Sequence, residues 1–121
     1  MTFWLLGALI ALGGAVFHGW IGGRIYMRNI STSDLLPLTQ SLSLVSWQMF
    51  TIFLLLSGAT YLLAAFSPSY QTTAAPMIVG NALGAGLFLL LGALGHGLLL
   101  RMPGTYLMGS TAILGWLAYA P

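Results

Sequence analysis

Two histidines are the side chains best suited to chemistry near neutral pH, and each precedes an arginine at a similar interval. His18 lies six residues before Arg24, and His96 five before Arg101. On facing helices, two neutral imidazoles would serve as axial ligands of a b-type haem. A chlorophyll-type pigment is a second cofactor of this kind. The glycines beside both histidines would let a flat macrocycle approach the backbone, and Arg24 and Arg101 sit where propionates would emerge. Copper or zinc would take the same imidazoles with Met49, Met102 or water. A proton relay would use their titration. The plainest alternative is hydrogen bonding between helices, worth about 1 kcal/mol per contact in lipid.

The surroundings of these residues narrow the chemistry. Of 121 residues, 59% are hydrophobic and 3% charged. The charges are Arg24, Arg28, Arg101 and Asp34, with no Lys and no Glu. A water-exposed domain carries roughly a quarter charged residues, so the composition is that of an integral membrane protein. Three cations are too few to neutralise a nucleic-acid backbone. The absence of cysteine removes disulfides and thiolate chemistry. The shortage of carboxylates removes the usual general acids and hydrolytic metal ligands. An independent enzyme is not expected.

The histidines must then be held by membrane helices, each needing about 20 residues. The hydropathy predicts four spans, near 3–23, 42–66, 77–100 and 105–120. Between the first two, RIYMRNISTSDLLPLTQ reads as a loop with an interfacial turn, and Pro37 marks entry to the second helix. SPSYQTTAAP forms the second connection, and RMPG would close a tight hairpin. Every arginine follows span one or span three, which predicts those connections on the cytoplasmic side and an N-out, C-out topology. No positive region precedes span one and no A-x-A site follows it, so it is expected to be retained rather than cleaved.

At about 1.5 Å per residue, each histidine would lie about 8 to 9 Å inside the arginine boundary. Gln48 would share that depth, joined by Ser110 and Thr111. Polar groups in hydrocarbon face a bundle interior, so this layer predicts mutual contact. GGAVFHGWIGGR and LLGALGHGLLLR also read as a weak internal repeat that would place His18 and His96 in matching positions. Sixteen glycines are many for four helices. Gly19 with Gly23, and Gly80 with Gly84, form G-x-x-x-G pairs that let helix backbones touch, within the chain or between subunits. Asn81 is the polar residue near the outer end of span three. Beside Gly80, Gly84 and Gly86 it could mark a helix break of the kind transport proteins use for ions. The Trp and Tyr residues near the span ends, Tyr26 and Trp47 among them, read as an interfacial belt.

The stretch His18-Gly-Trp-Ile-Gly22-Gly-Arg24 resembles a family of small bacterial four-helix membrane proteins in which helix one ends in His-x-x-x-Gly-x-Arg. In that family the second helix opens with Trp-His and a nearby Thr; here Trp47, Gln48 and Thr51 occupy that place, with Gln48 for the histidine. A fainter similarity links the motif to the membrane anchors of succinate dehydrogenase, where such a His ligates haem b. Small fluoride channels share the size and span number, and Gly80-Asn81 is a partial echo of their signatures. The expected molecule is all-α, a single membrane bundle over 1–121 in a bacterial cytoplasmic membrane. Its expected role is that of a non-catalytic subunit, packed in the lipid bilayer against other membrane subunits or copies of itself. Its candidate cofactor residues are His18, His96, Gln48, Arg24 and Arg101. The alternatives are a small oligomeric channel or carrier and a haem b electron-transfer subunit.

Overall fold

A computed structural model describes residues 1–120. The chain is all-α, with four helices: α1 (Thr2–Ser31), α2 (Pro37–Phe66), α3 (Ala75–Ala93) and α4 (Pro103–Tyr119). Three are long and apolar enough to cross a membrane, the third counted from Pro68 through its leading 3-10 turns. Together with the 3% charge this makes the chain an integral membrane protein.

Proline and glycine set the boundaries. Pro37 is the first residue of α2, where its missing N–H is no loss, and Leu36 before it is extended at φ −57°, ψ 144°. The first connection is therefore short. Residues 24–31, expected as loop, continue α1, because nothing between Arg24 and Ser31 breaks a helix and a polar face is no obstacle beyond the hydrocarbon. Hydroxyls close its end: Thr32 Oγ1 donates to the Arg28 carbonyl at 2.9 Å and Ser33 Oγ to that of Ile30 at 2.6 Å.

The third helix ends earlier than its hydropathy predicts, at Ala93 rather than near residue 100. Gly95 adopts φ +113°, and the His96 N–H reaches back to the Leu91 carbonyl at 3.0 Å. That is a Schellman-type stop, with Gly at the position that must leave the right-handed region. Gly97–Arg101 follows as a 3-10 turn. The connection to α4 is longer than RMPG, and Thr105 Oγ1 and the Tyr106 hydroxyl donate to the Leu99 and Leu100 carbonyls within it.

α1 is the central helix, packed on both α2 and α4, and α4 packs on α3. Contacts form where a bulky side chain on one helix enters the gap left by a glycine on the next. Tyr61 of α2 lies against Gly7 and Gly115, on α1 and α4, so that a Cβ on Gly7 would stand 2.7 Å from its ring. Leu12 enters at Gly58, Leu107 at Gly14 and Met108 at Gly84. Trp4 meets Tyr61 edge-on at 5.2 Å between centroids, and Ala8, Ala64, Ala74 and Ile78 complete this core. Lipid tails are as apolar as leucine, so close packing of this kind, not expulsion from water, holds the helices together.

Gly7 beside Leu114 and Gly14 beside Leu107 set α4 antiparallel to α1, and the same register places Pro103 level with His18. α1 and α2 therefore run on past the α3–α4 hairpin. Each is 30 residues long, about 45 Å, against a hydrocarbon thickness of about 30 Å.

Candidate functional site

The chemistry-bearing cluster lies on α1 and α2, where that overhang begins. α1 widens into a π-type turn over Phe17–Gly22, a feature often found at functional positions. His18 stands in this turn. Its Nδ1 is 3.0 Å from the Thr51 hydroxyl, and its ring stacks on Trp47 with centroids 4.0 Å apart and planes 12° apart. Phe50 meets the same ring edge-on at 4.6 Å. Trp47 also stacks on Tyr26 at 4.4 Å and 13°.

Glycines make room for this three-ring stack. Gly22 lies four residues after His18 and four before Tyr26. A Cβ there would stand 3.0 Å from the Trp47 ring, and one on Gly23 would stand 3.3 Å from the indole nitrogen. Trp47 sits in that slot and donates its indole N–H to the His18 carbonyl at 3.1 Å. One turn back, Gly19 lies against the Thr51 methyl, where a Cβ would be 2.8 Å away. With Thr51 on Nδ1, no hydrogen bond is formed by His18 Nε2 among the described residues. Such an arrangement orients an imidazole for a ligand or proton on Nε2. No carboxylate is at hand to drive proton transfer, the one acidic side chain being Asp34 in the first connection.

His96 is placed otherwise. It lies beyond the end of α3, exposed, in the connection to α4. The shared depth expected of His18 and His96 assumed a helix through residue 100, and Gly95 ends it first. The two halves of the weak repeat thus adopt different structures, one a π-type turn and the other a helix stop. Gln48 is exposed, one position round the helix from Trp47, outside the stack. Arg24 is exposed with its guanidinium 5.2 Å from the centroid of the Trp20 ring, and Arg101 is exposed at the end of the 3-10 turn. Met49 and Met102 are exposed as well. Ser110 and Thr111 do not join a shared layer: each donates to a carbonyl of its own helix, Thr111 to Leu107 at 2.8 Å and Ser110 to Tyr106 at 2.7 Å. No group of three His, Cys, Asp or Glu able to hold a metal occurs among the described residues.

The four predicted packing glycines are all engaged inside the chain. Gly19 and Gly23 receive α2, Gly80 faces Phe53 of α2, and Gly84 faces Met108 of α4. Asn81 is fully buried and causes no break in α3. Its amide donates to Ser57 Oγ at 2.9 Å and to the Met77 carbonyl at 2.8 Å. Its Oδ1 has no partner among the described residues. Buried so, it faces the chain's own core.

Phe50 and Tyr26 were not expected in the cluster. Tyr26 stands at i+8 from His18 on the glycine-lined face, but only the rotation of α2 about α1 brings either residue to the histidine. No family model, curated protein or solved structure matches the chain.

Proposed function

We propose that the chain is a non-catalytic membrane subunit that packs against other membrane proteins or copies of itself. In this reading all four helices cross a bacterial cytoplasmic membrane, with the arginine-bearing end inside and the start of α1 and end of α4 outside. The arginine distribution supports the orientation. α4, at 17 residues, is about 26 Å long, enough for a thin span. The observation that carries the assembly reading is the state of α3. Only 17% of its apolar window is buried within the chain, and its exposed face offers Ala82 and, one turn on, Gly86 with nothing within 4 Å of a Cβ. Small residues left open on a lipid-facing helix suit close approach of another helix.

Light scattering on the protein extracted gently from its native membrane tests this. A protein mass well above the 12.8 kDa of one chain, falling toward it in Gly86→Leu, is expected. A lone 12.8 kDa species from native membrane would overturn the reading.

A second reading, in which the assembly also holds a haem or pigment, is favoured by one observation, the Thr51 contact that orients His18. The other ligand would come from a neighbour. An absorption band in the native extract that disappears in His18→Ala supports it, and a colourless extract rejects it.

A further inference from the structure

Beyond the stack, the exposed side of α1 carries a second cluster. Trp20, Arg24 and Arg28 recur at every fourth residue, all exposed, and Ile21 and Ile25 stand exposed beside them. Trp20, Ile21, Arg24 and Ile25 line one shallow concavity on this face. The Arg24 guanidinium is held over the indole of Trp20 at 5.2 Å. That contact is not a hydrogen bond, so the five N–H donors of the guanidinium stay available to an acceptor. The chain has three arginines and one acidic side chain, so at least two arginines lack a carboxylate side-chain partner. An anion held by Arg24 and Arg28 together would therefore come from outside the chain.

The position of the cluster says what that anion is. Pro103 begins α4 level with His18, so Trp20 lies near the end of the short hairpin and the arginines lie one and two turns further, where headgroups begin. An indole favours the glycerol region, Ile21 and Ile25 offer an apolar wall to the first methylenes, and guanidinium donors match phosphate geometry. We infer that the Trp20–Arg24–Arg28 face of α1 binds the phosphodiester headgroup of an anionic phospholipid, of the phosphatidylglycerol kind. The site belongs to a single copy of the chain. It rests on the membrane crossing of α1 and not on assembly, so the two readings fail separately.

Native mass spectrometry of the purified protein, given phosphatidylglycerol or phosphatidylcholine in matched amounts, tests the site. Each arginine near an anionic headgroup is worth about fivefold, so the pair gives roughly thirtyfold preference for phosphatidylglycerol. Arg24→Gln with Arg28→Gln should remove the preference. Arg24→Lys with Arg28→Lys should keep only the share due to charge, and Arg101→Gln all of it. Equal retention of the two lipids, or an equal loss in Arg101→Gln, would overturn the site as a localised one. Displacement of the lipid by millimolar glycerol 3-phosphate would overturn the lipid as its ligand.

Discussion

Trp47 is the residue whose removal should cost the cluster most, and two substitutions separate its contributions. Its indole stacks on His18 at 4.0 Å and on Tyr26 at 4.4 Å, and donates to the His18 carbonyl at 3.1 Å. Each aromatic pair is worth about 0.5–1.5 kcal/mol and the hydrogen bond about 1 kcal/mol. Trp47→Ala should therefore destabilise by about 2–4 kcal/mol, with no large transfer term, because lipid can refill a half-exposed site. Trp47→Phe keeps one ring in the slot above Gly22 and loses the N–H with part of the stacking area, so it should cost about 1–2 kcal/mol. Reversible unfolding in bicelles, read by steric trapping, resolves that difference. A Trp47→Ala protein within about 0.5 kcal/mol of the parent would refute the stack as a source of stability. Equal costs for Ala and Phe would assign the whole effect to the hydrogen bond.

The remaining predictions use the same measurement unless stated. Gly7→Ala and Gly115→Ala each push a methyl at Tyr61, which is held between them, and should cost about 1–3 kcal/mol from overpacking. Asn81→Ala removes the donors to Ser57 and Met77 but also the partnerless Oδ1. The two effects oppose, so its cost should stay below about 1 kcal/mol; a larger value would mean that Oδ1 has a partner. Gly95→Ala forces a side chain into φ +113° and should cost about 1–3 kcal/mol, with α3 fraying first in hydrogen exchange. Thr51→Val removes the hydroxyl at His18 Nδ1, and the 15N shift of that nitrogen should move while Nε2 changes less.

What the sequence made legible follows from how each signal is carried. Membrane class is a property of composition, carried by the 3% charge, and helical content follows from apolar runs of about 20 residues, regardless of packing. Pro37 is a local signal and marked the start of α2 correctly. The end of α3 was local too, in Gly95-His96-Gly97, but hydropathy ran through it because Leu98, Leu99 and Leu100 continue the apolar run. Residues 24–31 misled in the opposite sense, since polarity was read as loop where nothing breaks the helix. The cluster was half legible. His18, Gly22, Trp47 and Thr51 stood out as types at fixed spacing, whereas the addition of Tyr26 and Phe50 depends on the rotation of α2 about α1. The π-type turn that contributes to that rotation has no signature in the sequence beyond its glycines.

The glycines show most directly why packing had to be seen. Gly7, Gly14, Gly19, Gly58, Gly80, Gly84 and Gly115 each receive a specific side chain from a neighbouring helix of the same chain. In a bilayer, where helices gain little from hiding apolar surface, these seats are what fix the order of the bundle. Inside α1 and α3 two glycines, Gly13 and Gly86, meet nothing within 4 Å. Gly14 and Gly84 are filled by Leu107 and Met108, neighbours on α4, so the two open glycines lie at nearly one depth, on different hairpins. A glycine facing lipid costs helix stability relative to alanine, about 0.5–1 kcal/mol, with no packing inside the chain to offset it. In the assembly proposed above, a helix outside the chain supplies the offset, and two open seats at one depth place that contact near the bilayer middle, away from the arginine-bearing end.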